Sequence, residues 1–254
     1  MEQVASTRRG YFNTARIAVI AMFSALAGIL YIFNFSLSFA FPSFLEFNFS
    51  DIPTLIGTFT LGPVAGVIIT VVKILLKLVI KGTSTVFVGE LSDLLTSCVS
   101  AVTAGLIYKR KRTFKGALIG MAAGTFAEVA IAILFNWLAL VPFYVQFFFH
   151  GKWEPLIGMM TPLFPDCTKE NFYTFYLWIS VLPFNLMRCL VAVLITLPVY
   201  KRISNLINKF NVKITPKDDA GGQKIKKINI GVWVAGIVIL ALLVLFALLR
   251  FFVF

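Results

Sequence analysis

The stretch that decides the fold is FPSFLEFNFSDIPTLIGTFTLGPVAGVIITVVKILLKLVIKGTSTVFVGE, residues 41–90. An aromatic segment with several polar side chains leads into an apolar run that turns at Leu61-Gly62-Pro63. The chain returns in a second apolar run that contains Lys73 and Lys77. Charged groups at membrane depth are costly unless they face a partner or a water-filled cavity. We therefore expect this stretch to form the wall and mouth of a binding pocket inside a membrane protein.

The composition of the whole chain agrees with a membrane protein. Of its 254 residues, 59% are hydrophobic and 13% are charged, whereas soluble domains are roughly 45–50% apolar. Several apolar runs reach the roughly 20 residues that a helix needs to cross a bilayer. The sequence therefore predicts an all-α integral membrane protein with six transmembrane helices in one bundle and one more at the carboxyl terminus.

The apolar runs and the segments between them predict four parts of the chain. These are a basic tail (1–12), a six-helix membrane domain (13–208), a linker (209–229) and an extra transmembrane helix (230–254). The expected helices of the bundle are 13–34, 51–61, 63–80, 86–108, 114–140 and 171–200, and the seventh is Ile230–Leu249. Residues 35–50 and 141–170 are expected to be loops.

The basic residues predict how the chain is oriented. Segments 1–16, 109–115 and 201–227 carry three, five and eight of the 23 Lys and Arg residues. Basic loops stay on the cytoplasmic side, so we expect a multi-pass protein of the cell membrane with a cytoplasmic amino terminus and an extracellular carboxyl terminus. Membrane topology then explains the net charge of +12, and no nucleic-acid partner is expected.

The sequence contains no pattern typical of catalysis. There is no HExxH motif, no Walker A loop and no Ser/His/Asp arrangement, and Cys98, Cys167 and Cys189 lack metal or redox spacing. We therefore predict that the protein is not an enzyme and holds no metal or cofactor.

Polar residues in the last two helices of the bundle suggest a ligand. Asn185 and Arg188 are three residues apart and so share a helix face, and Asn136 is expected at a similar depth. Two amides and a guanidinium among aromatic side chains, with Trp137 and Tyr144 as candidates for the wall, suit a flat heterocycle with a polar edge. The alternative is that these polar groups only join neighbouring helices.

The lysines of the opening stretch allow two interpretations. Lys73 is expected near the middle of the membrane, paired with Glu90, Asp93 or Glu128, and both Lys73 and Glu90 could line the pocket. Lys77 could instead extend its amine to the outer interface.

A stripe of small residues, Ala18, Ala21, Ala25 and Gly28, runs along the first helix. Small residues let helices approach closely in lipid. The stripe therefore packs either inside the protein or against a separate membrane subunit.

Five segments resemble the riboflavin-specific substrate-binding (S) component of energy-coupling-factor (ECF) vitamin transporters, and the resemblance extends over about residues 13–205. They are FNFSDIPTLIGTFTLGPVAGVIITVVKILLKL (47–78), GTSTVFVGEL (82–91), GLIYKRKRT (105–113), FNWLALVPFY (135–144) and LPFNLMRCLV (182–191). The resemblance implies a six-helix bundle that binds riboflavin near its outer face. It also implies a transmembrane coupling subunit and two ABC ATPases as partners, with an S component that topples in the membrane to deliver the vitamin.

The resemblance also implies roles for single residues. Asn136 and Asn185 fall on flavin-contacting positions, and Arg188 stands where the family usually has Lys. Leu45, Glu46 and Phe47 fall on the segment that closes over the flavin, and Gly89 lies on another contacting turn. Ala18, Ala21 and Ala25 match the face that docks on the coupling subunit.

The chain departs from the family in three places: Glu46 replaces a small polar residue, the 145–170 loop is long, and the seventh helix is additional. Two other functions stay open at this point. The ligand could be flavin mononucleotide (FMN) or another vitamin, which Lys73 and Arg188 would favour if it is anionic. The protein could also be a membrane enzyme or a structural subunit without a transported ligand.

Overall fold

The computed structural model describes residues 14–83 and 85–209. We label the helices α1 (Thr14–Ile32), α2 (Asp51–Leu61), α3 (Pro63–Lys81), α4 (Val88–Arg110), α5 (Phe114–Phe148), α6 (Glu154–Met160) and α7 (Thr174–Val181 continued by Leu182–Lys209). Within α5, Asn136–Leu140 and Tyr144–Phe148 are π-helical, as is the Thr174–Val181 part of α7.

Five of these helices, all but α2 and α6, are long and apolar enough to cross a membrane within the described residues. Helix α2 has 11 residues, which gives a length of about 16 Å at 1.5 Å per residue. The protein is thus an all-α integral membrane protein, as predicted. The predicted tail (1–12), the linker beyond Lys209 and the extra helix (230–254) lie outside the described residues.

The prediction of a loop over residues 141–170 is wrong for about half of that segment. Helix α5 continues to Phe148, and α6 follows within the same stretch. Pro142 does not end α5, because it stands between two π-helical turns where the regular hydrogen-bond pattern is already interrupted. Residues 141–148 are apolar or aromatic apart from Gln146, and the helix continues through them.

The turn between α2 and α3 makes these two helices an antiparallel pair. Gly62 adopts a positive φ of 96°, and its N–H caps α2 by donating to the carbonyl of Thr58 at 2.8 Å. Pro63 then opens α3 at the position where a missing N–H is tolerated. Residues at equal distances before and after Gly62 therefore lie beside each other.

Close contacts between small residues hold the centre of the bundle together. Helices α4 and α5 pack so closely that a Cβ atom at Gly120 would lie 2.8 Å from the carbonyl oxygen of Ala104. Buried side chains such as Phe23, Ile69 and Met121 fill the core between α1, α3 and α5. In a bilayer, such close approach replaces the hydrophobic driving force that helices have in water.

The segment between α1 and α2 folds over one end of the bundle. Strands Phe35–Ser36 and Glu46–Phe47 pair antiparallel, with Phe35 opposite Phe47. The rings of Phe41 and Phe47 lie 5.3 and 6.5 Å from the ring of Phe184 on α7. We call residues 35–50 the hairpin loop. It covers a cavity lined by α1, α3, α4, α5, α6 and α7.

Candidate binding cavity

The cavity under the hairpin loop has a volume of about 360 Å³, within the range of small-molecule sites. Its wall brings together eight residues that the sequence singled out: Leu45, Glu46, Gly89, Glu90, Asn136, Tyr144, Asn185 and Arg188. Residues from three helices and the hairpin loop thus converge on one space, although they are up to 143 positions apart in the chain.

The two asparagines present their amides to the cavity in a similar way. The Nδ2 atom of Asn136 donates to the carbonyl of Ala132 at 2.7 Å, and that of Asn185 donates to Val181 at 2.8 Å. Each amide is therefore anchored one turn back on its own helix. Both side chains are almost fully buried, so neither can satisfy its remaining hydrogen-bonding capacity in bulk water.

Arg188 is held by carboxylates of three other helices. Its guanidinium lies 2.5 Å from Glu128 on α5, 3.3 Å from Asp93 on α4 and 3.8 Å from Asp51 on α2. The side chain is 6% exposed, so these partners take the place of water. Arg188 lines the cavity but its charge is already neutralised, and the expectation that it would favour an anionic ligand is not supported by these contacts.

The predicted partner of Lys73 is wrong. Lys73 pairs with Asp51 at 2.8 Å and donates to Ser50 at 2.9 Å, rather than pairing with Glu90, Asp93 or Glu128. The reason is the α2–α3 turn, since Asp51 and Lys73 are each eleven residues from Gly62. Lys73 is buried behind the cavity and does not line it.

Lys77 takes the position beside Glu90. One carboxylate oxygen of Glu90 accepts from Lys77, and the other accepts from the hydroxyls of Thr83 and Thr85 at 2.9 and 2.8 Å. Lys77 is buried and does not reach toward an interface. A Cβ at Gly89 would lie 2.8 Å from the Thr85 hydroxyl, so the glycine permits this close packing.

Two other predicted residues lie outside the cavity wall. Trp137 is 50% exposed on the outer surface of α5, because its neighbour Asn136 faces inward and a helix turns by about 100° per residue. Phe47 belongs to the hairpin loop, and its buried ring packs against Phe35 and Phe49 of the same loop and against Phe184 of α7. Phe47 therefore supports the loop and does not line the cavity.

Several residues that line the cavity were not predicted from the sequence. Tyr31 lines the cavity and donates to Asp93 at 2.5 Å, and Tyr176 donates to Asn136 at 2.5 Å. A tyrosine inside an apolar helix needs a partner for its hydroxyl, and this signal could have identified both residues. Leu156 and Met159 of α6 also line the cavity, so the long 145–170 segment contributes to the site.

Cys167 belongs to the same segment and is buried. Burial raises the pKa of its thiol, which keeps the thiol protonated and poorly nucleophilic. Cys98 and Cys189 are buried as well.

The alanine stripe on α1 faces outward. Ala18, Ala21 and Ala25 are exposed, whereas Gly28 is buried against Leu76 of α3. The stripe is therefore split: its three alanines are accessible to a neighbouring protein or lipid, and its glycine packs internally.

The hairpin loop is tied to α3 by polar contacts. Asn34 donates to Glu46 and accepts from Lys81 at the end of α3. Glu46 therefore has a partner in the protein.

The site combines hydrogen-bonding amides with aromatic side chains in the wall of one cavity. Among the described residues, five carboxylates (Asp51, Asp93, Glu46, Glu90 and Glu128) and three cations (Lys73, Lys77 and Arg188) line the cavity or lie directly behind it. The amides can read the polar edge of a planar ring while aromatic side chains contact its faces. The excess of carboxylates disfavours anions.

The chain is similar to proteins of known function. The chain is 29% identical to the riboflavin transporter RibU of Staphylococcus aureus (strain TCH60) over 194 residues, which cover 76% of this chain and 93% of the relative. It is 23% identical to the riboflavin transporter FmnP of Bacillus subtilis (strain 168), with 71% and 87% covered.

A solved structure described as "Structure and mechanism of the S component of a bacterial ECF transporter" has the same fold. It superposes with a TM-score of 0.57 and 29% sequence identity over 76% of this chain and 96% of that one. Residues 15–200 match the family described as "ECF transporter, substrate-specific component". Because this match spans well over half of the chain, the protein belongs to the family of ECF transporter substrate-specific components.

Proposed function

We propose that the protein captures riboflavin from outside the cell and is the substrate-binding subunit of an ECF transporter. The observation that carries this proposal is the placing of Asn136 and Asn185 in one buried cavity beside aromatic side chains. Riboflavin has a planar ring system with a polar pyrimidine edge, which amides can recognise. The names of the two relatives above, both riboflavin transporters, support the same ligand.

The charges around the cavity favour riboflavin over FMN. FMN differs by a phosphate, which carries a charge of about −1.5 to −2 at neutral pH. The cations Lys73, Lys77 and Arg188 are all paired with carboxylates, so no described cation in the cavity is free to receive a phosphate. A neutral ligand therefore suits this environment better than an anionic one.

Titration of the purified protein with riboflavin and with FMN tests this proposal. Quenching of flavin fluorescence should give one riboflavin site per chain and an affinity for FMN that is weaker by about tenfold or more, because like charges repel strongly in a low-dielectric site. Equal or tighter binding of FMN would reverse the choice of ligand. No binding of either flavin would favour a membrane enzyme or a structural subunit.

Transport requires an energy source, which we propose comes from a coupling subunit and two ABC ATPases. The chain has no Walker A motif, and the exposed alanines of α1 offer a face on which a coupling subunit could pack closely. In this proposal the hairpin loop faces the outside, the amino terminus is cytoplasmic, and toppling of the loaded subunit brings the vitamin inward. Vesicles containing this chain alone should then bind riboflavin without accumulating it when ATP is present.

A further inference from the structure

Tyr176 is the described residue whose hydroxyl contacts one of the two recognition amides. It lies in the π-helical part of α7, is 1% exposed, and donates to Oδ1 of Asn136 at 2.5 Å. We propose that Tyr176 is a positioning residue, which holds the amide of Asn136 in the orientation that reads the ligand's polar edge. This inference rests on the proposed function, since it assigns a role in riboflavin binding.

The hydrogen bonds of Asn136 define its orientation. A backbone carbonyl only accepts, so the atom next to Ala132 must be the amide nitrogen. The oxygen on the other side then accepts from Tyr176. One N–H and one oxygen lone pair remain on Asn136. This pair complements an imide edge, such as the N–H and carbonyl of the flavin pyrimidine ring.

Asn185 provides an internal comparison. Its Nδ2 atom donates to Val181, but among residues 14–83 and 85–209 no hydrogen bond to its Oδ1 is formed. Asn136 is therefore held at both ends of its amide, whereas Asn185 is held at one. We infer that Asn136 is preorganised before the ligand arrives, which lowers the ordering cost of binding.

The ring of Tyr176 is fixed independently of its hydroxyl. It stacks on Phe172 with centroids 5.4 Å apart, and Phe44 of the hairpin loop lies 5.7 Å away. Replacing Tyr176 with phenylalanine removes the hydroxyl and leaves these contacts in place. The substitution therefore isolates the hydrogen bond to Asn136.

A double-mutant cycle tests this role. Riboflavin affinity is measured by fluorescence titration for the parent, Tyr176→Phe, Asn136→Ala and the double variant. We expect Tyr176→Phe to weaken binding by about three- to tenfold, in keeping with one lost buried hydrogen bond. In the Asn136→Ala background the same change should have less than about a twofold effect, because the two residues act as a unit. Tyr173→Phe is the matched control, since Tyr173 packs on Trp153 away from the cavity, and it should bind like the parent.

Three outcomes would overturn the proposal. Parent-like affinity of Tyr176→Phe means that the hydroxyl does not matter. An equal loss with and without Asn136 means that Tyr176 acts directly and not through Asn136. If the parent itself binds no riboflavin, the proposed function fails and this role fails with it. If the parent binds riboflavin but either of the first two outcomes is seen, only the role of Tyr176 fails.

Thermal unfolding of each ligand-free variant checks that it is folded. Should Tyr176→Phe not fold, a variant with 4-aminophenylalanine at position 176, which keeps a donor in the same place, is used instead. Affinity near that of the parent supports the role of the donor. Affinity as weak as that of Asn136→Ala overturns it.

Discussion

At the scale of single residues, we assign ligand recognition to some cavity residues and structural support to others. Asn136 and Asn185 each have hydrogen-bonding groups left for a ligand. Arg188, in contrast, is ion-paired with Glu128, Asp93 and Asp51. Removing one member of a buried ion-pair network leaves the others uncompensated, which costs far more than the pair contributes. Arg188 is therefore a residue on which the fold depends.

Arg188→Ala should lower the free energy of unfolding by about 3–5 kcal/mol, because the buried Glu128 and the part-buried Asp51 and Asp93 lose their common partner. Thermal unfolding in detergent measures this effect. Adding Glu128→Gln to Arg188→Ala should recover part of the loss. Arg110→Ala at the exposed end of α4 is the control and should leave stability unchanged. If Arg188→Ala unfolds at the same temperature as that control, the network has no structural role.

At the scale of elements, the hairpin loop acts as a cover because its aromatic rings rest on α7. Phe44 contacts the ring of Tyr176, and Phe41 contacts Phe184. Phe44→Ala should therefore speed riboflavin release more than it slows binding, since a looser cover exposes a bound ligand. Stopped-flow fluorescence gives both rates, and Phe39→Ala, at an exposed position of the same loop, is the matched control. An unchanged release rate would mean that the loop does not retain the ligand.

Helix α1 offers a second prediction at this scale. Ala21→Trp or Ala25→Trp should leave riboflavin binding intact and abolish uptake by cells, because a large side chain blocks close packing of a coupling subunit. Ala130→Trp, at an exposed alanine of α5, should preserve both activities. Loss of binding in the α1 variants would contradict the proposal, since it would mean that the stripe packs internally.

The elements and residues that have a local sequence pattern could be predicted, and those that depend on tertiary geometry could not. Apolar length and the Gly62-Pro63 turn were enough for the helices α1 to α4, and buried amides with aromatic neighbours pointed to Asn136 and Asn185 as residues that share a cavity. The pairing of Lys73 with Asp51 depends on the antiparallel arrangement of α2 and α3 about Gly62, which no local pattern specifies. The length of α5 was underestimated because π-helical turns around Pro142 have no simple sequence pattern.

At the scale of the whole molecule, binding should reside in the part of the chain that the family shares. The family match ends at residue 200, and the Staphylococcus aureus relative is 93% covered by 76% of this chain. A variant truncated after Lys209 should therefore bind riboflavin like the full chain. Uptake by the same variant shows whether residues 210–254 take part in transport, and loss of binding would contradict a self-contained six-helix domain.

In our proposal, buried amides in one cavity recognise a flat vitamin. Two neighbouring residues of α5, Asn136 and Trp137, test this recognition. Asn136 faces the cavity and Trp137 faces outward. Equilibrium titration with riboflavin should show that Asn136→Ala weakens binding by about tenfold or more, because leaving a buried polar edge of the ligand without its partner costs about 1–3 kcal/mol, whereas Trp137→Ala keeps the parent affinity. Unchanged binding by Asn136→Ala, or a larger loss in Trp137→Ala, would contradict the account.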